Sequence, residues 1–502
     1  MRVVIAYVLV GWGLIQVADA TIEPLHLPEW AGTLVVWLVA LGFPIAVVLA
    51  WVLDVTPQGI KVTETNDNAP GAREECPDQS IAVLPFVNMS GDPDNEYFSD
   101  GLSEELLNLL VRLRSLRVCS RTSSFALKGK SLDMQTVASR LGVQHVLQGS
   151  VRRVEDRVRI SAQLINASDD RHLWSETYDR ELKDIFAVQQ EIAEQIFSSL
   201  KLSLSPDERR AMLATTDDAA AFDLYLQGRD QYHRTEPGHL EIARDHFEQA
   251  IQIDPDYALA WAGLTYVFIE IYWYKEKEAA WIERAHEASR KAVQLAPHLA
   301  EAHTARGLAL RADEQFDEAE TEFEKAMKIN PRLFEPLHFY AQMERSRGNF
   351  ARACELFIRA AEVRPEDYQA IAVASQMFEA MGDTEKACES ARETVERVNS
   401  AVVLNPKDSR ALVLGATAWY YLGDTEQALE FARRAREAYP EGPGVMYNTA
   451  CIYAKMGRHE EAIDLLENAV ELGTRNKRYF ETDTDFDSIR DHPRFKALLE
   501  KI

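Results

Sequence analysis

Two stretches, FDEAETEFEKAMKINP (Phe316–Pro331) and FARACELFIRAAEVRP (Phe350–Pro365), decide how the C-terminal part of this chain folds. They lie 34 residues apart and put Ala319, Phe323, Ala326 and Pro331 in the register of Ala353, Phe357, Ala360 and Pro365. The frame recurs at Ala243, Phe247, Ala250 and Pro255, and at Ala428, Ala432, Ala435 and Pro440. Prolines mark the period: Pro255, Pro297, Pro331, Pro365, Pro406 and Pro440 follow one another at gaps of 42, 34, 34, 41 and 34. Small alanines let paired helices approach, an aromatic fills the gap between them, and proline stops the second helix. The two longer gaps imply insertions of 8 and 7 residues near Tyr272–Glu278 and Val395–Ser400.

A 34-residue period of this wording resembles the tetratricopeptide repeat. The expectation is an all-α solenoid of about seven repeats over residues 222–474. Residues 475–502, with DTDFDSIRDHPRFKALL, resemble the segment that closes such arrays and gives the last helix a polar face. By that resemblance, positions 2, 5, 9 and 12 of each first helix line a concave groove. In one repeat these are Glu301, Thr304, Leu308 and Arg311, and in the next Glu335, His338, Gln342 and Arg345. Arg410, Thr417, Tyr420 and Tyr447 extend the candidate groove further along. Guanidiniums recognise carboxylates through paired donors, so an acidic peptide or a C-terminal carboxylate is the partner expected. The competing reading pairs Arg311 and Arg345 with Glu301 and Glu335.

Upstream, residues 80–205 read as one small α/β unit. Ser80–Phe86 is a short apolar strand followed by the turn-rich NMSGDPDN, and Glu96–Leu113 carries apolar residues at helical spacing. Leu116–Ser120 is a second strand and Met134–Leu141 a short helix, with Ser131 or Asp133 as its cap. Gln144–Val154 and Arg157–Asn166 form a hairpin, His172–Tyr178 adds a strand, and Leu182–Leu202 is a long amphipathic helix. SIAVLPFVNMSGDPDNEYFSDGLSEELLNLL, LGVQHVLQGSVRR and RISAQLINASDDRHLWSETYDRELKDIFAVQQEIAEQI together resemble the TolB amino-terminal-like (FlgO-like) domain. That resemblance implies a bacterial protein in which the domain sits beside a membrane segment and tetratricopeptide repeats. Relatives of this kind often carry a cyclase or winged-helix output domain, and no such sequence is present here.

The first 56 residues read as a membrane anchor with two transmembrane helices. Ala31–Leu53 runs 23 residues without a charge, enough to cross a hydrocarbon core of about 30 Å. Residues 3–18 form a shorter apolar segment that either spans or is a cleaved signal ending in Ala18-Asp19-Ala20. The loop between them holds Glu23 and Glu29 but no Lys or Arg, as an external loop should. The soluble bulk is therefore expected on the cytoplasmic side of a bacterial inner membrane. Residues 57–79, polar and without an apolar period, read as a linker.

Charge and motifs narrow the function. Lys+Arg is 55 against Asp+Glu 80, a formal net charge of −25, and 54 of the acidic residues lie in 206–502. Nucleic-acid binding needs a basic field and is disfavoured. Cys76, Cys119, Cys354, Cys388 and Cys451 form no CxxC pair, so neither a disulfide framework nor a zinc site is expected. No P-loop, GxSxG, HExxH or GxGxxG occurs in a usable place, and His145 and His172 are isolated. Asp483, Asp485 and Asp487 imitate the start of a calcium loop without its glycine or closing Glu, so helix capping is the reading preferred. The run Arg112, Arg114, Arg117, Arg121, Lys128 and Lys130 reads as a solvated face. No catalytic residue, metal ligand or cofactor site is expected. The expected function is a membrane-anchored scaffold recruiting protein partners. The alternative is the sensor subunit of a signalling system, of cyclase or transcription-factor type, whose output domain is on another chain.

Overall fold

The computed structural model describes residues 53–56, 59–62 and 79–502, the last apart from 114, 131, 203–215, 235–237, 275–277 and 475–476. Residues 1–74 and 75–502 belong to two compact units. In the first, β1 (Leu53–Thr56) and β2 (Gly59–Val62) pair antiparallel, with Leu53 opposite Val62 and Thr56 opposite Gly59. This corrects the expectation at two places. Leu53 begins a strand instead of ending an apolar helix, and the linker holds a strand. Residues 3–18 and 31–52 of the predicted membrane segments lie outside the described residues. No helix among the described residues is long and apolar enough to cross a membrane.

The second unit begins with a sheet of order β5-β3-β6-β7-β8, formed by β3 (Ser80–Val83), β5 (Arg117–Val118), β6 (His145–Val154), β7 (Arg157–Asn166) and β8 (Arg171–Glu181). The short β4 (Val87–Asn88) pairs with β6. β3 is parallel to both neighbours, whereas β6, β7 and β8 form an antiparallel meander. Strand alternation sorts the two faces. Ile81 and Val83 enter the larger core with α1 (Glu96–Val111) and α4 (Ile185–Ser199), while Ala82 faces Val137 and Leu141 of α3 (Met134–Leu141). Asp133 caps α3 by accepting from the Thr136 amide, and Gly142 closes it at φ +61°, a left-handed conformation that glycine adopts without strain. A short helix, α2 (Arg121–Phe125), was not anticipated; Ser120 caps it.

The rest is helical. Among the described residues seven antiparallel pairs follow: α5 (Ala219–Tyr232) with α6 (His239–Ile253), α7 (Ala258–Tyr274) with α8 (Ala279–Leu295), and α9 (Ala300–Ala312) with α10 (Phe316–Ile329). Then come α11 (Phe334–Ser346) with α12 (Phe350–Val363), α13 (Gln369–Ala380) with α14 (Thr384–Leu404), α15 (Ser409–Tyr421) with α16 (Thr425–Ala438), and α17 (Pro443–Lys455) with α18 (His459–Glu471). Helices are longer where residues are inserted: α7 and α8 have 17 residues each and α14 has 21, against 13 or 14 in α9 to α12.

The repeat frame packs as its chemistry dictates. Phe323 and Phe357 are fully buried, as are Ala319, Ala326, Ala353 and Ala360. A Cβ on Gly307 would lie 2.7 Å from the Phe323 ring, so glycine is what lets α10 close on α9. At the C-terminus α19 (Lys477–Thr482) and α20 (Pro493–Lys501) close the array, and Phe480, Phe486 and Phe495 are buried in one core with α17 and α18.

Candidate functional site

Part of the solenoid surface that carries the anticipated groove positions is already occupied. The α/β domain docks there through α1 and the segment that follows it. Helix α1 lies close against α5 of the first repeat; a Cβ on Gly101 would come within 2.9 Å of Leu226. One continuous core holds Leu102, Leu106 and Leu110 of α1 with Phe222, Tyr225 and Leu226 of α5.

Polar contacts run along this seam. Tyr97 donates to Asp223 at 2.9 Å, and the Arg153 guanidinium reaches the same carboxylate at 2.6 Å. Glu104, only 4% exposed, is a hub for three basic groups: Arg121 of its own domain at 2.9 Å, His233 at 3.1 Å, and Arg229 of α5. Burial alone would raise the pKa of Glu104, but Arg229, His233 and Arg121 outweigh it and hold the carboxyl well below its usual range. The adjacent Glu105 goes the other way: burial raises its pKa, and Tyr225 donates to it at 3.4 Å. Both carboxylates are closed off from solvent, so they hold the seam together and face no space for a substrate.

Further along, Arg112 pairs with Glu301 at 3.1 Å, the Asn330 amide donates to the Val111 carbonyl, and the Ser120 amide donates to Glu366 at 2.6 Å. Lys130 donates to the Leu404 carbonyl. The expectation of a solvated basic face is overturned in part: Lys128 and Lys130 are exposed, and Arg114 lies outside the described residues, but the rest of the run is engaged. Arg112 is buried, Arg121 serves Glu104, Lys128 serves Asp100 and Glu96, and Lys130 reaches the solenoid. Charge complementarity drives this: a nearly neutral domain with a run of cations meets acidic repeats.

The anticipated groove residues divide. Glu301 is consumed by Arg112 and Glu335 by Arg364 at 3.1 Å, so the acids expected beside Arg311 and Arg345 have other partners. Arg311 donates to Gln342 at 3.0 Å and lies over the Trp273 ring, and Arg345 is exposed at the end of α11. Thr304 is fully buried and its hydroxyl donates to Ala300 within its own helix, so it presents nothing to a ligand. His338 is stacked on Phe334 and faces Phe339 and Phe357; burial pushes its pKa down to about 4. Further along, Arg410 is exposed, Thr417 bonds within α15, and Tyr420 contacts the Lys455 carbonyl at 3.4 Å. Tyr447 belongs to the terminal cap, donating to Asp483 at 2.9 Å and packing edge-on against Phe480 and Phe486.

Asp483 and Asp485 approach Cys451 closely enough to suggest a cation site. Lys455 already supplies the positive charge, 3.0 Å from Asp485, and Asp483 caps the turn Thr484–Phe486. Burial raises the Cys451 thiol well above its ordinary pKa, which keeps it protonated. Cys119, Cys354 and Cys388 are also free thiols, and Cys76 lies outside the described residues.

Residues 308–475 match the family model for the tetratricopeptide repeat. The chain contains a tetratricopeptide repeat domain. Residues 77–195 match a model described as the HilA/YgeH-like transcriptional regulator, second domain, which spans the α/β unit. A relative from Rhizobium meliloti (strain 1021), named "Putative adenylate cyclase 3", is 44% identical over 190 residues, or 38% of this chain. The match spans 32% of that relative's length. Among solved structures, the human IFIT1 dimer with m7Gppp-AAAA is similar at 17% identity, over 57% of this chain and 64% of that one, with a TM-score of 0.41. A tetratricopeptide repeat protein from Parabacteroides merdae is similar at 13% identity, over 56% of this chain and 98% of that one, with a TM-score of 0.37.

Proposed function

We propose that the chain is a non-enzymatic interaction scaffold, anchored through residues 3–18 and 31–52 in a bacterial inner membrane with its soluble domains on the cytoplasmic side. The α/β domain, read as TolB amino-terminal-like, acts as a built-in organiser of the repeat groove. The observation that carries this is the seam: ion pairs and a shared apolar core hold the α/β domain against the repeats. What remains for a protein or peptide partner is the groove beyond the seam, with Arg311, Gln342, Arg345 and Arg410 as carboxylate-binding positions. An acidic solenoid offers no basic field for nucleic acid.

Crosslinking and mass spectrometry on native membranes test the partner role. Specific protein partners are expected with the full chain and should be lost on charge reversal at Arg311 and Arg345. Unchanged partners in that double variant would sink the groove assignment. A reporter fused after Ile502 that is active only outside the cytoplasm would reverse the topology.

A second reading is the regulatory subunit of a signalling system whose output domain is on another chain. The relative named as an adenylate cyclase and the transcriptional-regulator domain model support it. A cyclase or transcription factor among the crosslinked partners would favour this reading over the scaffold.

A further inference from the structure

A cleft of about 530 Å³ opens on the seam where edge strand β5 meets the solenoid. Gln79, Ser115 and Arg117 line it from the α/β side, and Arg332, Glu362 and Val363 from the repeats. Two guanidiniums share one space there, in a chain whose formal net charge is −25. Arg117 donates through Nη2 to the Gly142 carbonyl, but its Nε is buried without a partner. The Ser115 hydroxyl is buried without a partner as well. Two orphaned donors on one cleft wall are a pattern that a bound acceptor accounts for. Among the described residues neither Arg332 nor Glu362 forms an ion pair, so the acid in the lining does not neutralise the arginines. Burial and the nearby Arg117 lower the Arg332 pKa, as expected of two like charges with nothing between them. The end of α1 does not use these donors, because the Val111 carbonyl accepts from Asn330.

We propose that this cleft binds a phosphate-type oxyanion, clamped between Arg117 and Arg332 with the Ser115 hydroxyl donating to it. Guanidinium donors in pairs suit tetrahedral oxyanions. Among the described residues no aromatic ring lines the cleft, so they offer no stacking platform for a nucleobase. Glu362 repels a second anionic group. The ligand class is inorganic phosphate or a small phosphate monoester. Because its ligands come from both domains, the anion tightens the seam. This inference does not rest on the partner reading above.

The test uses the full chain in detergent, titrated with inorganic phosphate and separately with glycerol phosphate, at ionic strength matched with chloride. Calorimetry and phosphorus NMR line broadening read the binding. One saturable site is expected, weakened at least tenfold by Arg332→Gln and unchanged by Arg433→Gln, which lies on the distant α16. Ser115→Ala should also weaken it, which covers the case in which Arg117→Gln fails to fold. Tighter binding of the ester than of free phosphate would identify a monoester as the ligand, and the reverse would identify phosphate itself. No saturable binding of either compound, or an Arg332→Gln protein that binds like the parent, overturns the proposal.

Discussion

Glu104→Gln puts the seam to its most direct test. The carboxylate is buried and serves Arg121, His233 and Arg229, while its neighbour Glu105 is occupied by Tyr225 and Asn108. The amide keeps the shape and removes the charge. Arg229 then keeps the Tyr225 hydroxyl at 3.1 Å and the nearby Glu105, and Arg121 keeps the face of Phe125 and the nearby Asp100, but both lose their direct carboxylate. Breaking a buried ion pair by removing one partner costs about 3–5 kcal/mol, because the other charge stays desolvated. Against a domain stability of about 5–15 kcal/mol, that is enough to open the seam well before the distant repeats unfold. Hydrogen exchange on the full chain in detergent reads the result. Amides of α1 and α5 should lose protection in the variant, while α15 to α18, which share a separate core with the terminal cap, should keep theirs. Neutralising an exposed pair with Arg433→Gln should change nothing measurable. If Glu104→Gln left α1 and α5 as protected as in the parent, or cost less than about 1 kcal/mol against the 3–5 of a buried pair, the ion-pair hub would not be what holds the domains together.

Two further outcomes follow from the same geometry. Burial lowers the pKa of His233, and that of His338 to about 4, so the unfolded chain takes up these protons first as pH falls. Their contribution is complete above the ordinary histidine value of about 6.5 and is lost on descending towards pH 4. Glu104, held low, adds its own loss only below the ordinary carboxylate value of about 4.3. Thermal unfolding midpoints between pH 7.5 and 4.5 should therefore drop, less steeply in His338→Gln; a flat profile would contradict the burial assigned to these rings. In the repeats, Gly307→Ala should destabilise by about 1–3 kcal/mol through overpacking against Phe323. Adding Phe323→Leu should recover part of that loss in denaturant unfolding, and additive costs would mean that the two sites do not touch.

The solenoid was legible because its determinants are local and repeated. Ala319, Phe323, Ala326 and Pro331 each act within one helix pair, and recurrence at 34 residues turns weak preferences into a pattern. The α/β unit was legible for a related reason: the alternation of Val158, Ile160, Ala162 and Leu164 along β7 states which face is buried. The seam was not legible, since Arg112 and Glu301 are 189 residues apart and neither carries a local sign of its partner. A run of six cations on a short stretch reads as solvated when nothing shows the acidic surface it faces. The imbalance between that run and the acidic repeats was the available clue, and it constrains sign without placing a contact. The cap at Asp483 is legible because capping is again a local event.

Docking in cis changes what a groove position means. In an isolated solenoid, Glu301, Thr304 and Arg311 would be equivalent candidates, one for each turn of α9. Here Glu301 holds a buried arginine, Thr304 turns its hydroxyl back on its own helix, and Arg311 donates to Gln342 of the next repeat. A peptide that reached position 2 of α9 would have to displace Arg112 and leave it desolvated, at about 3–5 kcal/mol before any new contact counted. One that engaged Arg311, Arg345 and Arg410 would leave the Arg112–Glu301 pair in place. On the proposed reading, selectivity for the C-terminal stretch of the groove would arise from an internal ligand that excludes partners from the rest, and whatever tightens or loosens the seam would move that boundary.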